Sequence, residues 1–218
     1  MKLLYVTSLS GRRINAFMRS AILAARRLNI DFTIACNMND ADQALYREDC
    51  RVYGITAEHI DFVRNPLALS NYTQAKKQLL ALMRREKYDA VHCNTPIGGV
   101  LGRVCAKRAG IPCVIYQAHG FHFWQGAPLI NWICYYPVER MLAHDTDLLM
   151  TVNREDFERA QRFRLKKNGR VIKVPGVGVD IGRFASQTAD PALFRQSLGI
   201  PADAFIFLSV GEIGRAHV

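Results

Sequence analysis

The sequence predicts an α/β protein, a Rossmann-like parallel sheet with helices on both faces. Three observations lead there. Short apolar runs alternate along the chain with longer stretches whose apolar residues recur at helical spacing. The amino end reads as strand, glycine turn, helix. The run at 112–116 is continuously apolar, as suits a parallel strand buried on both faces.

Residues 2–8 read as the first strand. The polar turn after it holds Gly11, and a helical run follows with Ile14, Phe17, Met18, Ile22, Leu23, Ala25 and Leu28 as its apolar face. Backbone N–H groups at such a helix start can hold a phosphate, although the full G-x-G-x-x-G signature is absent. Residues 30–37 are the second strand. Helical character is expected around 40–48, then a short third strand at 51–55. Residues 61–70 read as irregular, with a turn at Arg64-Asn65-Pro66. Residues 71–87 form an amphipathic helix whose buried face is Tyr72, Ala75, Leu79, Leu80, Leu82 and Met83. The fourth strand is 88–94. Pro96 opens the next helix at a favoured position, and Gly98, Gly99 and Gly102 allow a neighbour to approach closely.

The fifth strand, from 112, ends in Ala118-His119-Gly120 and is followed by Phe121, His122 and Phe123. Residues 124–128 form a turn. Residues 129–144 are helical, and Pro137 predicts a kink or a restart. Trp132, Ile133, Tyr136, Val138, Met141 and Leu142 read as its core face; an exposed part of this aromatic and basic surface would instead suit lipid. The sixth strand is 147–153, with Asn153 as N-cap of a helix over 154–162. The seventh is 171–174. A polar linker at 186–190, a short helix at 191–198 and an apolar strand at 205–210 complete the chain.

Composition narrows the function classes. The balance of 29 basic to 19 acidic residues, net +10, points to anionic partners. No basic–aromatic interleaving of a nucleic-acid module accompanies it, so no nucleic acid is expected. Phosphorylated substrates or an anionic membrane surface fit better. No run of eighteen apolar residues predicts a membrane span, and the amino end is too short and polar for a signal peptide. Six scattered cysteines without paired spacing read as free thiols in a reducing, cytoplasmic compartment and argue against zinc. In open α/β sheets, ligands sit beyond the carboxyl ends of the strands. That position makes His119 a candidate, open on the residues alone between a site group and a packed loop histidine.

An ordered set of segments carries a resemblance. It includes Tyr5-Val6-Thr7 with Gly11 to Phe17, Arg64-Asn65-Pro66, Tyr88 to Pro96, and Ala118-His119-Gly120-Phe121-His122-Phe123 with Gly126-Ala127-Pro128. It continues through Asn131-Trp132, Tyr135 to Glu139, Thr151 to Asp156, and Pro175 to Phe184. Over about the first 185 residues the chain resembles the amino-terminal domain of family 4 glycosyltransferases of the GT-B fold, in the capsular and exopolysaccharide branch.

The resemblance implies retaining transfer of a sugar from a nucleotide diphosphate sugar, a UDP-sugar in most cases. The acceptor would be a polyprenyl-diphosphate-linked or other glycan, met at the inner face of the cell membrane by a peripheral enzyme. It implies no bound metal or other cofactor, because helix N-termini and basic groups stabilise the leaving diphosphate. It assigns His119 as the catalytic residue, Gly11 and Asn153 to the donor diphosphate, and Asn94, Thr95, His122 and Glu155 to the acceptor. Residues 1–185 would be the acceptor-side domain. Residues 186–218 would be a linker and the first strand of a truncated donor-binding domain, leaving this fragment inactive. Residues 212–218 back-translate to a run resembling a sequencing adapter, which predicts an artefactual tail. Two alternatives stand beside the transferase: a non-catalytic nucleotide- or membrane-binding module, and a GT-B sugar-nucleotide epimerase.

Overall fold

The computed structural model describes residues 1–8, 11–63, 69–176, 178, 181–185 and 190–208. They divide into two compact units, Met1–Gly178 and Val179–Val218.

In the first unit seven strands make one sheet, ordered β3-β2-β1-β4-β5-β6-β7, with every neighbouring pair parallel. The strands are β1 (Lys2–Val6), β2 (Asp31–Cys36), β3 (Thr56–His59), β4 (Ala90–Asn94), β5 (Cys113–Ala118), β6 (Leu148–Thr151) and β7 (Arg170–Lys173). The order reverses between β1 and β4, so the crossovers leave the sheet in opposite directions there. Helices α1 (Ala16–Arg27) and α2 (Gln43–Tyr53) cover one face. The other carries α3 (Leu69–Glu86), α4 (Pro96–Ala109), α5 (Leu129–Ala143) and α6 (Arg154–Ala160).

Each face has its own core. Met18, Ile22 and Tyr46 close over Tyr5 and Ile34 on the α1 side. Leu79, Met83, Cys105 and Tyr116 pack with Leu4 and Val91 on the other. All five β4 residues are buried, as suits a central strand covered on both faces, and this burial includes the polar His92 and Asn94. The α4 glycines admit the sheet itself: a Cβ on Gly102 would fall 2.5 Å from the Cys93 sulfur, and one on Gly99 2.6 Å from the Tyr116 ring.

Buried among these elements is Arg103, 1% exposed. Its guanidinium donates to Glu139 at 2.8 Å and to the Gly99 carbonyl at 2.9 Å, and lies 3.8 Å from the Tyr116 ring centre. The Tyr116 hydroxyl donates to the second Glu139 oxygen at 2.9 Å. One ion pair thus ties α4, β5 and α5.

Several expectations are corrected. The helix after β2 runs through Tyr53, because Asp42 caps its start and left-handed Gly54 ends it. The third strand is therefore Thr56–His59 rather than 51–55. As a polar edge strand it carries no apolar run to betray it. Helix α5 continues through Pro137 without a restart. Its inward face is Trp132, Tyr136, Glu139, Leu142 and Ala143, whereas Ile133 and Met141 are 61% and 62% exposed. Phe17, Leu23 and Leu28 on α1 are also exposed, since the Met18–Ile22–Ala25 stripe takes the core. The turn at Arg64-Asn65-Pro66 lies outside the described residues.

The second unit contains α7 (Ile181–Ala185) and α8 (Pro191–Ser197), the latter capped by Asp190. Residues 205–208 form no strand, and residues 209 and 210 lie outside the described part. A strand needs a ladder partner, and Phe205, Phe207 and Leu208 are more than 80% exposed.

Candidate active site

Two strand ends meet beside the reversal. β5 ends at Ala118 and delivers His119; β4 ends at Asn94, which is 1% exposed. The Asn94 side-chain N–H donates to the His92 carbonyl at 3.3 Å, which turns its oxygen outward. That oxygen lies 3.1 Å from His119 Nε2. With Asn94 so oriented, the imidazole carries its proton on Nε2 and keeps the Nδ1 lone pair. The Phe17 ring sits edge-on to the imidazole, 5.3 Å between centres. Packing removes water from the ring and lowers the His119 pKa below its ordinary value. The neutral form therefore dominates at pH 7.

The adjoining turn is held from two sides. Gly11 has φ +70°, where a side chain would be strained. Thr95 has φ 62°, a rare setting for a β-branched residue. Its hydroxyl accepts from the Ser8 N–H at 3.0 Å, joining the ends of β1 and β4. Thr95 makes no side-chain capping bond to α4, whose amino end lies at this corner. Arg13 at the same corner is engaged by Asp49, whose carboxyl it holds below the usual range. Arg12 remains mostly exposed, 3.9 Å from Asp42.

The segment after His119 is clamped by α6. Asn153 accepts from the Asp156 N–H at 2.8 Å, and its own N–H donates to the Asp156 carboxylate at 2.7 Å. The same carboxylate accepts from the Phe121 N–H at 3.0 Å. Glu155 accepts from the Gln125 N–H at 2.6 Å and pairs with Arg159 at 2.9 Å. Arg159 in turn donates to the Phe123 carbonyl and stands 4.5 Å over the Trp132 ring. His122 points elsewhere, its ring 4.6 Å from that of Tyr135 on α5.

The predicted residues thus fall into three groups. His119 and Asn94 touch; Gly11 and Thr95 shape the corner beside them; Asn153 and Glu155 are committed to the loop clamp, and His122 to α5. Three contributors were not singled out in the sequence. Phe17 read as core. Asp156, quoted only as the end of a matching segment, and Arg159 were given no role, since only the fold brings them to the loop. Among the described residues no cluster of three His, Cys, Asp or Glu side chains could hold a metal ion, and no helix is long and apolar enough to cross a membrane.

Residues 2–153 match the model of the family described as glycosyl transferase 4-like. The Bacillus subtilis protein EpsD, whose glycosyltransferase label is provisional, is 41% identical over 153 residues, spanning 68% of this chain and 39% of that protein. An Escherichia coli UDP-Gal:alpha-D-GlcNAc-diphosphoundecaprenol alpha-1,3-galactosyltransferase is 32% identical over 135 residues, spanning 62% of this chain and 35% of that protein. The matched segment is thus well under half the length of these relatives. The solved sucrose-phosphate synthase of Thermosynechococcus elongatus superposes with a TM-score of 0.61 at 13% identity, covering 93% of this chain and 53% of that one, a likeness of fold.

Proposed function

The chain belongs to the glycosyl transferase 4-like family, and from that footing we propose that it forms the acceptor-side half of an exopolysaccharide glycosyltransferase. The enzyme transfers a sugar from a UDP-sugar to a polyprenyl-diphosphate-linked glycan, with retention at the anomeric carbon. It works as a peripheral protein at the inner face of the membrane. The name of one relative supports both substrate classes: it is a UDP-Gal enzyme acting on a diphosphoundecaprenol acceptor.

The observation that carries this is the placement of His119. It stands past β5, next to the strand-order reversal, with its tautomer set by Asn94. In this proposal its Nδ1 lone pair faces the transferred sugar and orients it, while Asn94 holds the Nε2–H. The Gly11 turn and the amino end of α4 present N–H groups to the diphosphate. Thr95 contacts the acceptor beside Asn94. Asn153 and Glu155 act by holding the loop that carries His119 and His122. The residues supply positioning and electrostatic stabilisation without a metal.

The test is sugar transfer from UDP-hexoses to an undecaprenyl-diphosphate-linked glycan, by a protein of the relatives' length carrying this domain. His119→Ala is expected to lower kcat by about 100- to 1000-fold with the circular dichroism spectrum unchanged. Turnover equal to that of the parent would remove His119 from the reaction.

A further inference from the structure

Helix α5 is apolar all round, yet only one face is covered. Trp132, Tyr136, Glu139 and Leu142 turn inward. Ile130, Ile133, Cys134, Pro137 and Met141 recur at helical spacing on the opposite face, and all are exposed. Leu129, 74% exposed, extends this stripe at the amino end of the helix, where the His119 loop enters it. A helix without a polar face belongs in a core or against lipid. At 15 residues α5 is too short to span a bilayer.

The far end of the stripe is basic. Arg140 and His144 lie on its margin, and Lys107 and Arg108 of α4 face them across a shallow cavity of about 820 Å³. The described acidic group there is Asp145, already paired with Lys107 at 2.9 Å.

We infer that the exposed face of α5 docks on an anionic lipid bilayer, its apolar stripe entering the headgroup boundary and Arg108 and Arg140 neutralising lipid phosphates. Apolar area and basic charge together are the two components of such interfacial binding. Docking here places the loop leading from His119 at the membrane, which deepens the reading of a lipid-linked acceptor and rests on it for its purpose. The binding itself requires no sugar transfer, so the two can fail separately.

Flotation of the 218-residue protein with vesicles tests it. Vesicles of phosphatidylcholine with one third phosphatidylglycerol are expected to carry the protein, and pure phosphatidylcholine vesicles to carry about tenfold less. Ile130→Asp with Ile133→Asp should weaken binding about tenfold or more, as should Arg108→Glu with Arg140→Glu at low salt. Val52→Asp, a control on the exposed side of α2, should bind like the parent, and all variants should keep the parent's melting temperature. The inference is overturned if the parent floats with neither vesicle. It is equally overturned if the α5 pair binds as well as the parent, or if Val52→Asp loses binding to the same extent.

Discussion

His119 owes its protonation pattern to a neighbour on another strand. Asn94 Oδ1 stands 3.1 Å from Nε2 and is aimed there because the Asn94 amide nitrogen is spent on the His92 carbonyl. Replacing that oxygen with a charged one reverses the balance on the ring. In Asn94→Asp, the adjacent carboxylate favours the imidazolium and opposes the desolvation that lowers the parent's pKa. Proton NMR titration should therefore place the His119 midpoint higher in the variant than in the parent. A midpoint unchanged from the parent would mean that the two side chains do not touch in solution. His119 and Asn94 were each legible in the sequence, because each follows an apolar run that reads as a strand. Their contact was not. Register pairs Asn94 with Gln117, two residues before His119, and pairing between strands is not written in either strand alone.

At the scale of elements, the Arg103–Glu139–Tyr116 cluster decides whether α4 and α5 stay seated on β5. Glu139→Ala would leave a buried guanidinium without its counter-charge and a buried hydroxyl without its acceptor. A loss of about 3–5 kcal/mol is expected from urea denaturation. Arg103→Met combined with Glu139→Leu should recover the part due to the uncompensated guanidinium, since an apolar pair avoids the desolvation cost, while the Tyr116 hydroxyl still lacks its acceptor. A double variant as unstable as Glu139→Ala would show that packing, not charge pairing, governs this contact. The sequence disclosed α4 and α5 as helices but not this link, because Arg103 and Glu139 look like surface charges until burial is known. The third strand was missed for the opposite reason. Thr56–His59 is an edge strand with polar side chains outward, while the apolar Val52, Tyr53 and Ile55 before it mimic a strand and largely end a helix. On α5 the apolar residues were all visible, but a stripe that is apolar on both sides does not say which side is inside.

Across the whole molecule, stability should depend on pH through a residue far from solvent. His92 sits in the middle of β4, edge-on to the Tyr5 ring at 5.1 Å, with its Nε2 buried and without a hydrogen-bond partner among the described residues. Burial drops its pKa from the ordinary 6.5 to about 4. Between those values the unfolded chain binds more protons than the folded one, so stability is full above pH 6.5 and falls as the pH descends toward 4. Urea midpoints should decline across that window in the parent, and His92→Gln should flatten the decline. An equal slope in both would assign the acid sensitivity elsewhere. The parallel doubly covered sheet was legible as a whole, since alternating strand and helix patterns permit few other arrangements. What could not be read was which helices share a face.

That last feature has a consequence for control. The imidazole of His119 meets Phe17 of α1, on one side of the sheet, while the open stripe of α5 lies on the other. Sheet and apolar layers stacked about 10 Å apart separate them. The sheet acts as an insulator: charge gathered along α5 can change where the protein resides without retuning the proton affinity of the histidine. Substitutions on the exposed face of α5 would then bear first on the proposed attachment and those around Phe17 and Asn94 on the histidine, with the loop from His119 into α5 as the link between them.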